Sequence, residues 1–273
     1  MSGGRPPSLR VALVQLRVAE GDKARNLAAA GAAVTAAARA GADLVVLPEY
    51  VLTGFVAERM AELAEPLDGP SAGAFARMAA EHRVALVAGL PRLGDGDADG
   101  SRPDDVFDTT IALGADGELL SVYDKTHLFS SERAVFTPGA ALQPPFTLRG
   151  VRFGVLCCFD IEFPEAARRL ALGGAQCLVV PSANMVPWGG HHRVFVRSRA
   201  LENHVFVAYA NATGADSRYT YEGQSCLVDP LGRVLCDAGT VETVVWADAD
   251  LSVVDEARAV VDYLSERRPE LYL

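Results

Sequence analysis

The sequence lacks the features that would assign it quickly to several protein classes. Its five cysteines are odd in number and show neither framework spacing nor a Cys-x-x-Cys pair, which argues against a disulfide scaffold and a structural zinc site. The opening MSGGRPPSLR contains no apolar h-region, so it does not read as a secretory signal. The longest apolar stretches, such as the alanine-rich segment 28–39, fall far short of a membrane span. Positive charge is scarce. With 25 Lys and Arg against 35 Asp and Glu, the net charge is −10, and no basic stripe is available to neutralise phosphates. The acidic loop Gly94–Asp105 lacks the glutamate that closes an EF-hand. These absences point to a reduced, soluble, cytoplasmic protein that binds no nucleic acid, membrane or metal.

The remaining composition is globular: half of the 273 residues are apolar and 22% are charged, and a chain of this length can bury a sizeable core. Leu9–Leu16 reads as a buried strand. Asp22–Ala40 reads as a helix with Leu27, Val34 and Ala38 on one side, stopped by Gly41. Asp43–Glu49 is a short strand ended by a proline, so the chain opens β-α-β. A second helix is expected over Ser71–Arg83 with Ser71 as its N-cap, then a strand over Val84–Pro91. Val106–Asp124 reads as a hairpin turning at Ala115-Asp116-Gly117, and Phe146–Cys157 as a second hairpin turning near Gly150. Pro164–Gly174 is predicted helical, with the proline in its first turn. The strand CLVVPSAN, a helix from about His192 to Asn203 and three further strand segments follow, and residues 251–273 form a C-terminal tail.

Gly41–Glu49 (GADLVVLPE) and Gly174–Ser182 (GAQCLVVPS) align without a gap. Each follows a helix, and each ends just past a proline. Any β-α-β unit converges on such a pattern. It also fits two similar halves, each a sheet with helices on one side, packed sheet to sheet around one core. No linker composition separates them, so residues 1–273 read as one domain, with 1–8 flexible.

The stretch GVLCCFDIEFPE (Gly154–Glu165) holds two adjacent thiols. Free cysteine is usually a buried small hydrophobe. Strand alternation puts Cys157 in the bulky row with Phe153 and Val155, and Cys158 on the opposite face. Cys158 is also the last residue before polar sequence, at a strand end of the kind where β-α sites form. If one thiol reacts, it is Cys158. A thiol needs a base, and an attacked carbonyl needs its oxyanion stabilised. His82, His127, His191, His192 and His204 are available, but none lies in a cysteine-protease signature. Glu49 ends a buried strand, where a carboxylate is costly unless paired or used. Lys125 sits among Tyr123, His127, Leu128 and Phe129, which would desolvate it in part.

Three stretches in order, LPEYVLTGF (Leu47–Phe55), YDKTHLF (Tyr123–Phe129) and GVLCCFDIEFPE, resemble the nitrilase superfamily of carbon–nitrogen hydrolases. The resemblance runs from about Leu9 to the RRPELY tail. It implies an α/β fold, an α-β-β-α four-layer sandwich of two packed mixed sheets with helices on the outer faces. It also implies a Glu-Lys-Cys triad, which falls here on Glu49, Lys125 and Cys158, and leaves Cys157 on a variable position. ERAVFTPG places a second, positioning glutamate at Glu132. In these roles Glu49 is general base, and Lys125 with the backbone N–H of Phe159 meets the oxyanion. No metal or organic cofactor is required. Asn184 and Trp188, in PSANMVPWGGHHR, are candidates for substrate binding, although Trp188 would equally suit core packing or a subunit contact. YTYEGQ (Tyr219–Gln224) has no clear place.

Nitrilases proper usually read Cys-Trp-Glu and are longer. Cys-Phe-Asp in a shorter chain favours a small-molecule amide, hydrolysed to acid and ammonia through a cysteine thioester. N-carbamoyl hydrolase and nitrile hydrolase activity on the same triad are the alternatives, followed by a silent binding module. The acidic surroundings argue mildly for a neutral or amino-bearing amide. The resemblance further implies a homodimer or higher homo-oligomer. The tail residues Tyr263, Leu264, Leu271 and Tyr272 need a partner chain or an intramolecular dock.

Overall fold

The computed structural model describes residues 8–96 and 101–272. Of the segment expected to be flexible, only Ser8 lies inside these limits, and it opens the first strand. Among the described residues the strands are β1 (Ser8–Gln15), β2 (Leu44–Val46), β3 (Ala85–Leu93), β4 (Val106–Leu113), β5 (Leu119–Asp124), β6 (Phe146–Leu148), β7 (Val151–Val155), β8 (Cys177–Ser182), β9 (Phe206–Asn211), β10 (Thr213–Ala215), β11 (Thr220–Glu222), β12 (Cys226–Val228), β13 (Val234–Asp237) and β14 (Thr243–Asp250). The helices are α1 (Lys23–Arg39), α2 (Met60–Leu63), α3 (Pro70–His82), α4 (Pro164–Leu172), α5 (Gly189–Asn203) and α6 (Ser252–Val260).

Two six-stranded sheets result, in the orders β14-β1-β2-β3-β4-β5 and β13-β12-β9-β8-β7-β6. Each has a parallel centre, β1-β2-β3 in one and β7-β8-β9 in the other, and antiparallel edges. Period-two alternation divides the strand residues between two cores. Leu9, Val11 and Leu13 of β1 face Phe153, Val155 and Val179 of the second sheet in a core between the sheets. Ala12 and Val14 point outward against Val34 of α1 and Phe75 of α3. Leu178 and Val180 do the same against Leu170 of α4 and Val196 of α5. Strands buried on both faces are continuously apolar, which makes them legible in the sequence. The α-β-β-α order is the expected one.

Two local expectations need correction. The buried side of α1 is Asn26, Ala30, Ala33, Val34 and Ala37, with Leu27 and Ala38 half-buried. Small alanines let the helix lie close to the sheet. Ser71 does not cap α3. Pro70 is at the first helical position and Gly69 is the cap, because proline lacks the N–H that a helix start leaves unused. Ser71 instead donates from its amide and hydroxyl to Glu65, at 2.8 and 2.9 Å.

In the tail, the Tyr263 ring stacks on His204 at 5.4 Å, and its amide donates to His204 Nε2. Leu271 and Tyr272 stay exposed, at 62% and 55%. No helix among the described residues is long and apolar enough to cross a membrane.

Candidate active site

The parallel strands deliver their C-terminal ends to one rim, the usual place for α/β sites. Glu49 lies three residues beyond β2, Lys125 follows β5, Cys157 and Cys158 follow β7, and Ser182 ends β8. The aligned pair Glu49 and Ser182 thus meet from opposite sheets. Glu49 Oε2 accepts from the amide of Ala183 at 2.7 Å, and Ser182 Oγ donates to Cys158 Sγ at 3.2 Å. Close backbone approach fixes Glu49. A Cβ at Gly89 on β3 would stand 2.9 Å from the Tyr50 nitrogen and 3.0 Å from the Glu49 Cα, so only glycine lets this turn cross β3.

Lys125 is fully enclosed. Its Nζ donates to Glu49 Oε1 at 2.6 Å and lies 2.8 Å from Glu132 Oε2 and 3.5 Å from Asp108 Oδ2. Glu132 also accepts from Tyr50 Oη at 3.0 Å and from the amide of Phe129 at 2.7 Å. Three buried carboxyls around one ammonium would carry excess negative charge, so a proton must remain among them. Burial and then repulsion from Glu49 push Asp108 well above the usual carboxylate range. Burial would also raise Glu49, but the Lys125 charge and hydrogen bonds from Asp108, Lys125 and Cys157 bring it below its ordinary value. Burial, and after the opposing Lys125 charge the repulsion from Glu49, leave Glu132 raised as well, so these directions favour a proton on Asp108 or Glu132 and leave Glu49 as the ionised member. Burial lowers Lys125, yet Glu132 and Glu49 outweigh it and keep the amine charged.

The two thiols differ from the alternation expected for them. β7 ends at Val155, so alternation no longer applies at Cys158, and both cysteines border the core between the sheets. Cys157 Sγ donates to Glu49 Oε1 at 3.2 Å and is 1% exposed. Cys158 has a φ of 44°, a left-handed conformation that costs an L-residue about 1–2 kcal/mol. Tyr50, directly after Glu49, is similarly strained at 52°. Backbone strain of this kind gathers at functional sites when its surroundings hold it. Here Asp160 holds it. Its Oδ2 accepts from the Cys157 amide at 2.9 Å and from Tyr123 Oη at 2.6 Å, and its Oδ1 accepts from the His127 amide at 3.0 Å. One carboxylate thus ties the turn bearing Cys158 to the segment bearing Lys125. Burial first, then the Glu49 charge, push the Cys158 thiol well above its ordinary value, so it is protonated at rest and needs a base to become a nucleophile. The amide of Phe159 precedes the first hydrogen bond of the short helix Cys158–Glu162, which leaves it free of an intrahelical partner.

A cavity of about 120 Å³ opens beside Cys158. Glu132, Phe159, Asn184 and Trp188 line it, and Cys157 does not. Asn184 is 3% exposed, and its Nδ2 has no partner. Trp188 is 40% exposed. Tyr219 and Tyr221, which the sequence left unassigned, complete one wall. Glu49, Asp108 and Cys157 offer three ligand atoms within 4.8 Å of one another. Lys125 already meets that negative charge, and its ammonium would repel a cation there. The sequence reading missed Asp108 and Ser182 as parts of the site. An acid inside the apolar run VFDTTIAL was the available signal for Asp108.

Two stacked sheets clad in helices, with a thiol, an ammonium and an ionised carboxylate at a shared rim beside a cavity, make up a site suited to acyl transfer. A family model described as carbon–nitrogen hydrolase matches residues 10–259, and the chain belongs to that family, within the nitrilase superfamily. The (R)-stereoselective amidase of Pseudomonas sp is 37% identical over 262 residues, covering 95% of this chain and 92% of that protein. The omega-amidase of Homo sapiens is 33% identical over 276 residues, covering 97% of each. A mutant of the amidase from Nesterenkonia sp. AN1, solved with the acetamide moiety of fluoroacetamide added covalently at its active-site cysteine, matches with a TM-score of 0.86. It is 28% identical and covers 99% of this chain and 98% of that one.

Proposed function

We propose that the protein hydrolyses a small-molecule amide to a carboxylic acid and ammonia, with Cys158 as nucleophile. The observation that carries this reading is Cys158 at the cavity wall, turned there by a strained backbone, with an ionised glutamate and a charged lysine behind it. Glu49 takes the thiol proton, and the sulfur attacks the amide carbonyl carbon. The oxyanion that forms is met by Lys125 Nζ and the Phe159 N–H. The carbon–nitrogen bond breaks as Glu49 returns the proton to nitrogen, and ammonia leaves. Water, deprotonated by Glu49, then attacks the thioester and releases the acid and the thiol. Glu132 fixes Lys125, while Asn184 and Trp188 hold the substrate. The names of the amidase relatives support an amide substrate.

A second reading makes Cys157 the nucleophile, because its thiol is the one bonded to Glu49, at 3.2 Å. It requires a substrate to pass Cys158 first. Ammonia release from a panel of amides by wild type, Cys158→Ala and Cys157→Ala tests both. Loss in the first variant alone supports Cys158, and loss in the second alone supports Cys157. Failure of wild type on every amide rejects the amidase reading.

Five unpaired thiols suit a reducing compartment, and the cytoplasm belongs to this reading. So does a homodimer through the outer face of α4 and α5, where Leu172, Val194 and Leu201 are exposed. A monomer in sedimentation at micromolar concentration would reject it.

A further inference from the structure

The cavity wall has a one-sided charge. Among the described residues no lysine or arginine lines it, and Lys125 is enclosed behind Glu49 and Glu132. Of the two glutamates on the wall, Glu132 is taken up by Lys125, Tyr50 and the Phe129 amide. Glu162 is different. It closes the short helix that Cys158 begins, its side chain is 26% exposed, and His192 Nε2 lies 3.2 Å from one of its oxygens. Among the described residues His191 and His192 are the only basic side chains on the wall, and His192 already faces this carboxylate. The rest of the wall is rich in ring faces, among them Phe159, Trp188, Tyr219 and Tyr221.

Resting on the amidase reading above, we infer that the preferred substrate carries a protonated amine on its acyl side, held by the Glu162 carboxylate and the ring faces around it. The amide end must reach Cys158 while the amine reaches Glu162, four positions further along the same short helix. At the rise of a 3₁₀ helix, about 2 Å per residue, those positions lie on the order of 8 Å apart. A short aminoalkyl chain or a small nitrogen ring spans that gap. Ring faces attract an ammonium through their quadrupoles, and a carboxylate adds a charge-assisted hydrogen bond. The same wall disfavours an amide that carries a carboxylate, which would be desolvated with no cation to meet it. Burial first, then the hydrogen bond it donates to Asp216 and the charges of Asp216, Glu49 and Glu20, push the Tyr221 phenol up, so no second anion is expected on that wall.

The test compares three amides of similar length on the full-length protein near neutral pH, read as ammonia release. They are γ-aminobutyramide, its neutral counterpart valeramide, and the anionic monoamide succinamate. The aminated amide should exceed valeramide by about tenfold or more in kcat/KM, with succinamate slowest. In Glu162→Gln the ratio of aminated to neutral amide should fall to within about threefold, mostly through KM. In Glu162→Lys succinamate should gain on both. Equal turnover of the first two amides by wild type overturns this inference and leaves the amidase reading standing, as does a preference for succinamate. An unchanged ratio in Glu162→Gln also overturns it. Absence of ammonia from all three overturns the amidase reading and this inference together.

Discussion

Cys157 keeps its amide tied to Asp160 and its thiol bonded to Glu49, and it has almost no contact with the cavity. One residue on, Cys158 adopts a left-handed backbone and turns its sulfur to the cavity wall beside Ser182. The two share a side chain, a strand end and a set of buried acids. Burial pushes both thiols well above their ordinary value, so neither is distinguished by readiness to ionise. They differ in access. The Glu49 charge acts on both thiols, but the hydrogen bond to it falls to Cys157 and the cavity to Cys158, and only a thiol that meets a carbonyl can form a thioester.

The largest effect expected from separating the pair is in Cys158→Ala. Amide turnover should drop by about 10⁴-fold or more, as for removal of other covalent nucleophiles, while thermal unfolding stays close to wild type. Retained turnover would transfer the role to Cys157. Next is Glu49→Gln, which removes the base. kcat should fall on the order of 10³-fold, and iodoacetamide should label Cys158 much more slowly. Labelling at an unchanged rate would mean that Glu49 does not serve that thiol.

Asp160→Ala should cost less, on the order of 10²-fold in kcat with KM little changed, because it frees the turn that presents Cys158 without removing a reacting group. Recovery of part of this loss in Asp160→Asn would identify the bonds from Asp160, rather than its charge, as the cause. The smallest change is expected in Cys157→Val. Its kcat/KM should stay within about threefold of wild type, since no reacting group is removed. Its pH profile should nevertheless move. Glu49 is held below its ordinary value of 4.5, so its base form persists as the pH falls and the acid limb of kcat/KM lies low. Losing the Cys157 donor removes one bond to the charged form, which raises the Glu49 pKa and shifts that limb to higher pH by a fraction of a unit. A shift in the other direction would reject the assignment of Glu49 as the ionised base.

Much of this arrangement was legible in the sequence because its signals are local. Buried parallel strands read as apolar runs, prolines and glycines mark their ends, and the repeat alone pairs Glu49 with Ser182. The two-sheet sandwich followed from the same strands and from the resemblance of three short stretches. What escaped depends on contacts across the fold. Alternation put Cys158 on the wrong face because β7 stops three residues before it, and only the Asp160 bonds to Cys157, Tyr123 and His127 show why the chain turns there. Asp108 stands inside the apolar run that forms β4, and its approach to Lys125, at 3.5 Å, joins two strands only once the sheet has formed. Tyr219 and Tyr221 reach the cavity from the β10-β11 ribbon, whose position relative to Cys158 no spacing along the chain encodes.

Position 89 carries a consequence for anyone reshaping this pocket. The outer part of the cavity wall, where Trp188 is 40% exposed, can be redrawn by changing side chains. The carboxylate behind it has no such latitude, because the main chain that bears it rests against a glycine on the neighbouring strand with no room for one more carbon. Every redesign inherits that single hydrogen atom, and a survey of variants limited to residues that touch substrate would never reveal it.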